Sequence, residues 1–176
     1  SNPNFSFNFP PGLSIIAVGA MPAAPDSNRI ADILGIGPDD NINLAAWDTS
    51  VAGGAYVLWS ETPGHALFTQ ALGRAWWLRS DRPILVNISG QAAPGADFQV
   101  PVPAGWSLWG NPYTVRLDFA ATEVTGIGQG TPVDLTTSNQ LGYARDYAWG
   151  YDPFTNSYRL ITGTSLPFAT QFIDPG

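Results

Sequence analysis

FSFNFPPGLSIIAVG at residues 5–19 and FQVPVPAGWSLWGNP at residues 98–112 align without a gap. The fold follows from how this pair is read. Phe5, Phe7 and Phe9 fall on Phe98, Val100 and Val102; Pro10 falls on Pro103, Gly12 on Gly105, Leu13 on Trp106 and Ser14 on Ser107. Further along, ADILGIG (31–37) falls on TEVTGIG (122–128), and AYVLWS (55–60) on SYRLIT (157–162). Trp47 and Tyr56 are matched by Trp149 and Tyr158 at the same spacing. Blocks recurring in one order point to an internal duplication, with an insertion around 129–144 in the second copy.

Within each copy the apolar residues alternate, which is strand periodicity. At 98, 100 and 102 they share one face; Pro103, Ala104 and Gly105 then turn the chain. Trp106 and Leu108 lie on one face of the next strand, Ser107 and Trp109 on the other. The first copy has Leu13 and Ile15 at the positions read as inward, and Ile16 where Trp109 stands. Trp106 is therefore expected in the core and Trp109 in the core or at its rim. LAAWDTSVAGGAYVLWS predicts a hairpin, with strands at 44–48 and 55–60 around Gly53 and Gly54. YAWGYDPFTNSYRLI is its counterpart, turning on Pro153 and on Asn156 in a left-handed conformation. RAWWLRS (74–80) and RPILVNISG (82–90) read as two strands joined near Asp81. DSNRIADILGI (26–36) predicts a short helix capped by Asp26 or Ser27 and stopped by Gly35, and DFAATEVTGI (118–127) its twin. The expected architecture is all-β: a pseudo-symmetric, two-repeat β-sandwich or barrel-like domain with one short helix per repeat. The expected repeats are 1–96 and 97–176, packed as one unit.

The second copy reaches FIDPG and stops where a strand equivalent to AWWLR is due. Two readings stand. One is a chain boundary. The other is that a neighbouring chain supplies the strand, because an unpaired sheet edge invites pairing. NFSFNF, carrying Phe5, Phe7 and Phe9, is the candidate inter-subunit strand. Head-to-tail donation of this kind would build a filament.

Composition narrows the function classes. The 176 residues carry a net charge of −7, and all seven basic residues are arginine. With no basic patch to neutralise phosphates, nucleic acid is not an expected partner. The acidic balance disfavours anionic membrane surfaces, and no apolar run reaches the ~18 residues of a membrane helix. Cysteine is absent, which removes disulfides, thiolate nucleophiles and Cys-ligated metals. Only 12% of residues are charged, about half the usual ~25%. Glycine and proline are abundant, yet so are aromatics, which argues for a turn-rich fold over disorder. Low charge with many Trp, Asn, Thr and Gly reads as a secreted or cell-surface module. Ser1, without an initiator Met, reads as the start of a mature or excised product.

At PAGWSLWGNPY (103–113), followed by AWGYDPFTNSYRL (148–160), the chain resembles duplicated β-rich modules of large secreted or cell-surface bacterial proteins. These carry a recurring GWNLIGNP-like strand. Such repeats end with a glycine, an aromatic pair and a short strand, as GRAWWLRS (73–80) does. The resemblance spans both copies and implies an extracellular accessory module without catalysis; it brings no functional residues with it. The first copy departs from the pattern, with LSIIAVGAMP (13–22) in place of the Trp and the Asn-Pro.

Few residues suit chemistry. His65, in ETPGHALF, is the single histidine, and no G-x-S-x-G elbow surrounds a serine. Of fourteen carboxylates, Asp118, Glu123, Asp146 and Asp152 are the candidates for a glycosidase pair; spacing alone sets none of them facing another. Asp39, Asp40, Asn41 and Asn43 bunch hard oxygen ligands and form a weak calcium candidate, although they lack the EF-hand pattern, and Asx-rich turns are commonly only turns. No other cofactor is expected. Trp59, Trp76, Trp77 and Trp109 are weak ligand-binding candidates, because adjacent Trp76 and Trp77 point to opposite faces of one strand. The expected function is non-catalytic and extracellular: a structural, adhesion or assembly module whose partner is a protein or identical subunits. A carbohydrate-binding module with a glycan partner is the alternative.

Overall fold

The chain opens with β1 (Asn4–Phe9), continues through Pro10 and Pro11, and resumes as β2 (Gly12–Ala17). In the computed structural model, which describes residues 1–95, 97–164, 166 and 169–175, these two strands lie in different sheets. β3 (Ala20–Pro22), β4 (Asn43–Asp48), β5 (Ala55–Leu58), β6 (Ala75–Ser80) and β7 (Ile84–Ala92) complete them. One sheet has the order β2-β6-β4-β5, the other β1-β7-β3. Phe9 pairs with Ile84 and Gly12 with Ser80. Pro10 and Pro11 thus oppose Asp81, Arg82 and Pro83, one residue more. The mismatch bends the two-stranded ribbon as a bulge does. Proline, having no N–H to give the ladder, suits that corner. Ser80 secures it: its Oγ donates to the Arg82 carbonyl at 2.6 Å and accepts from the Arg82 N–H at 3.2 Å.

The two sheets share one core. Phe7 and Phe9 enter it from β1, Ile16 from β2, Leu44 from β4, Trp76 and Leu78 from β6, and Val86 and Ile88 from β7. α1 (Ile30–Leu34) adds Ile30, Ala31 and Leu34. It is shorter than the expected helix. Gly35 stops it at φ 65°, as the sequence predicts, while Arg29, not Asp26 or Ser27, occupies the N-cap.

The phase of β2 differs from the expectation by one residue. Ser14 and Ile16 point inward, while Leu13 is among the exposed large hydrophobics. Alternation establishes that two faces differ, not which one a second sheet covers. The correction carries to the second copy: Trp106, the counterpart of Leu13, is 67% exposed and not a core residue. The strands expected at 98–102 and 106–109 are also absent among the described residues; a single bridge, Arg74 to Trp109, ties that stretch to the sheet. The positions beside β7 and β6 are already taken by β1 and β2 of the first copy.

Residues 97–115 instead pack back on the first sheets. Gly110 donates to the Gly73 carbonyl at 3.0 Å. A Cβ on Gly110 would stand 2.2 Å from that of Ala17. Phe98 N–H donates to the Tyr113 hydroxyl at 2.9 Å. Trp47 Nε1 donates to the Trp106 carbonyl at 2.8 Å. The compact units are accordingly Ser1–Val115 and Arg116–Asp174, which do not coincide with the expected repeats 1–96 and 97–176.

The second unit is also β-rich. β8 (Leu117–Asp118) pairs with β14 (Phe172–Ile173), and β9 (Glu123–Val124) with β10 (Val133–Asp134). β11 (Tyr147–Asp152), β12 (Ser157–Thr162) and β13 (Ala169–Thr170) form a sheet in that order. The predicted hairpin turn over 153–156 forms, with Asn156 at φ 49°. Its register differs from the first hairpin. Trp47 pairs with Tyr56, but Trp149 pairs with Leu160 and Tyr158 with Tyr151. The expected helical twin is only a 3-10 turn at Phe119–Ala121. The longer helix, α2 (Leu135–Leu141), lies in the stretch read as an insertion; Asp134 caps it and Gly142 ends it at φ 75°.

Candidate functional site

The four candidate tryptophans divide. Trp59 and Trp76 are buried. Trp76 is wholly enclosed, and its Nε1 donates to the Leu67 carbonyl at 2.8 Å. Both are core residues and are removed as ligand candidates. The reason for Trp76 is parity: it shares the inward face of β6 with Leu78. Trp77 points outward, and its Nε1 donates to the Tyr56 hydroxyl at 3.1 Å. Trp109 is partly exposed, beside the bridge to Arg74. Two of the four are thus core residues and two are not.

An aromatic face that sequence reasoning missed surrounds Trp77. Ile15, Trp77, Ala45 and Leu58 are cross-strand neighbours on the outer surface of the four-stranded sheet. Trp47 and Tyr56 form the adjoining pair, edge to face at 4.7 Å. Gly54 makes this possible, since a Cβ there would lie 2.1 Å from the Trp47 ring.

Of the calcium candidates Asp39, Asp40, Asn41 and Asn43, two are held by hydrogen bonds within the fold. Asp40 Oδ2 accepts from Gly37 N–H at 2.7 Å, and its Oδ1 from Arg82 at 3.1 Å. Asn43 Oδ1 accepts from the N–H groups of Leu44 and Ser60, and its amide donates to Ser60 Oγ. Among the described residues no group of three or more His, Cys, Asp or Glu side chains is placed to hold a metal ion. Phe5, Phe7 and Phe9 are likewise settled within the chain. β1 pairs along its length with β7, and Phe7 and Phe9 are buried in that unit's own core. Within a single chain, the strand expected as a donor therefore lies in its own sheet.

His65 and five of the fourteen carboxylates serve turns or helix caps. His65 Nδ1 accepts from Leu67 N–H at 3.2 Å, and Arg29 reaches the carbonyls of Pro63 and His65. Asp118 accepts from Ala120 N–H at 2.9 Å and from Gln171 at 3.0 Å. Asp152 accepts from Phe154 N–H and pairs with Arg159 at 2.6 Å. Four carboxyls are held below their ordinary range: Asp40 chiefly by Gly37 N–H, Asp48 by Ser50 Oγ, Asp134 by Thr137 N–H and Asp152 by Phe154 N–H. Bonding to the charged form lowers the native value beneath the unfolded one, about 3.9. Their stabilisation is therefore fully present above that value and is lost as pH falls through the native values. The melting temperature is expected to stay level from pH 7 to about 5 and to fall below about 4. A loss centred near neutral pH in a thermal titration would contradict this assignment.

In the second unit, one face of the β11–β12 hairpin forms the floor of a cleft of about 530 Å3. Tyr147 and Thr162 are register partners there, as are Trp149 and Leu160. The rings of Tyr147 and Trp149, two residues apart on one strand, stand edge to face at 6.4 Å. Asp146, Asp134, Thr136, Gly163 and Thr164 line the sides. Among the described residues, no basic one lines it.

No family model, no curated protein and no solved structure matches this chain.

Of the cleft residues, Asp146 was visible in the sequence as a candidate carboxylate and Trp149 as a member of the repeat. Their convergence with Thr136 depends on α2, whose signal was Asp134 at one end and Gly142 at the other. Among the described residues no helix is long and apolar enough to cross a membrane.

Proposed function

We propose that the chain is a non-catalytic module of an extracellular or cell-surface protein, serving adhesion or assembly. One observation carries this reading. His65, Asp118 and Asp152 are bonded to nearby backbone amides, whereas large aromatics stand outward. Tyr56, Trp106, Trp149, Phe154 and Tyr158 are all exposed. A contact surface needs such aromatic area. The low charge, with many Trp, Asn, Thr and Gly, suits an external location. Two aromatic hairpins, β4–β5 and β11–β12, support descent from a duplicated half, although the hairpin registers differ.

The partner is a protein surface or another copy of the chain, met through the aromatic hairpins and not through β1. Light scattering across a concentration series tests self-association. Mass is expected to rise with concentration and to return to the monomer value in Phe154→Ser, which alters a fully outward ring at the hairpin tip. A constant monomer mass would remove assembly between copies. A second reading, carbohydrate binding, is favoured by the cleft over β11–β12, where aromatic rings meet uncharged and acidic oxygens. A glycan array probed with the whole chain tests it, and an empty array would remove it.

A further inference from the structure

We propose that the cleft of the second unit binds a neutral sugar ring, stacked on Trp149 with Tyr147 standing edge-on beside it, and oriented by Asp146. The proposal rests on the carbohydrate-binding reading and assigns it a site. The volume, about 530 Å3, falls in the ~300–1,000 Å3 range of small-molecule sites. Its floor is apolar and aromatic: Trp149 is 48% exposed and Tyr147 36%. A pyranose presents a C–H face that such rings can cover, and hydroxyls around its edge. The cleft answers those hydroxyls with Asp146 and the threonines 136, 162 and 164.

The two carboxylates differ in what they have left to offer. Asp134 Oδ1 is held by Thr137 N–H at 2.7 Å as the cap of α2. Asp146 is half-buried and makes no ion pair among the described residues. An ionised carboxylate only accepts, with two oxygens able to take two adjacent hydroxyl protons. Hydrogen bonds to a charged group are also the stronger kind. Such a carboxylate disfavours an anion and can hold a neutral polyol by two hydroxyls. With carboxylates and no arginine in the lining, the cleft repels phosphate, sulfate and uronate groups. A lone ammonium would leave most of the volume unfilled.

Isothermal titration with short neutral oligosaccharides drawn from the array hits tests the site. NMR of the tryptophan indole N–H signals runs alongside it. Trp149→Ala is expected to weaken binding by more than about tenfold, since exposed aromatic anchors carry most contact energy. Asp146→Asn is expected to weaken it about tenfold. Trp106→Ala, in the first unit, should leave binding unchanged. Trp149 is not a core residue, so its removal should preserve the fold; Trp149→Phe, keeping a smaller ring, should retain part of the affinity. If the wild-type chain binds a glycan and both cleft variants bind it equally well, the site is overturned while the carbohydrate reading survives. If no glycan binds, both fall. Two further outcomes overturn the proposal. One is tetramethylammonium displacing the Trp149 signal in a salt-sensitive way, which marks a cation site. The other is Trp149→Ala abolishing self-association with no glycan bound, which marks a protein contact.

Discussion

Truncating Trp76 to alanine is expected to lower stability by about 3–5 kcal/mol, while the same truncation at Trp106 should change it by less than about 0.5 kcal/mol. Trp76 is 0% exposed and sits among core side chains from both sheets. Removing its ring leaves a cavity that strands fixed by their ladders cannot close. It also leaves the Leu67 carbonyl without the Nε1 donor it now has, and an unsatisfied buried acceptor adds to the cost. Trp106 engages the fold through its backbone: its carbonyl accepts from Trp47, and alanine keeps that carbonyl. Chemical denaturation of the two variants, followed by fluorescence and circular dichroism, measures the difference. Equal midpoints would mean that the inward and outward assignments are mistaken.

The second large effect is expected at Gly19. A Cβ there would lie 2.2 Å from the Tyr113 carbonyl oxygen and 2.5 Å from its carbon. Both are backbone atoms, so no rotamer change relieves the overlap. Gly19→Ala should cost about 1–3 kcal/mol. The cost should fall on the segment ending at Val115, where Asn111 Oδ1 accepts from Tyr113 N–H at 2.9 Å and its amide donates to the Val115 carbonyl at 2.7 Å. Hydrogen exchange should quicken across 110–115 before it quickens in β6. Gly64→Ala is the control, since nothing lies within 4 Å of a Cβ there. If Gly19→Ala matches that control, residues 111–115 do not rest against the β2–β3 connection. The boundary between the units would then move back toward residue 96.

The tryptophans and glycines of PAGWSLWGNPY (103–113) share a role in this packing. Gly110 lets the chain approach Ala17 more closely than a side chain would allow. Gly105, at φ 91°, turns it beforehand. Trp109 marks the contact with Arg74. The stretch is structural, but as an irregular strap and not as a strand with a core ring. The candidate site was less legible. Tyr147 and Trp149 alternate on a predicted strand, and Asp146 precedes them, so all three could be read locally. What they line could not, because Thr136 reaches the cleft on a helix inside the apparent insertion.

The sequence by itself determined the local features: the hairpins turning at Gly53–Gly54 and at Asn156, the helix stop at Gly35, and the strand pair around Asp81. Each depends on a residue's own backbone preferences or on period-two alternation, which act over a few neighbours. Tertiary structure alone decided which face of each strand is inward, that β6 and β7 part into different sheets at the Pro10–Pro11 corner, and that residues 97–115 belong with the first unit. A one-residue change of phase leaves the alternation intact. Only the second sheet, by covering Trp76 and leaving Trp77 outside, breaks that tie.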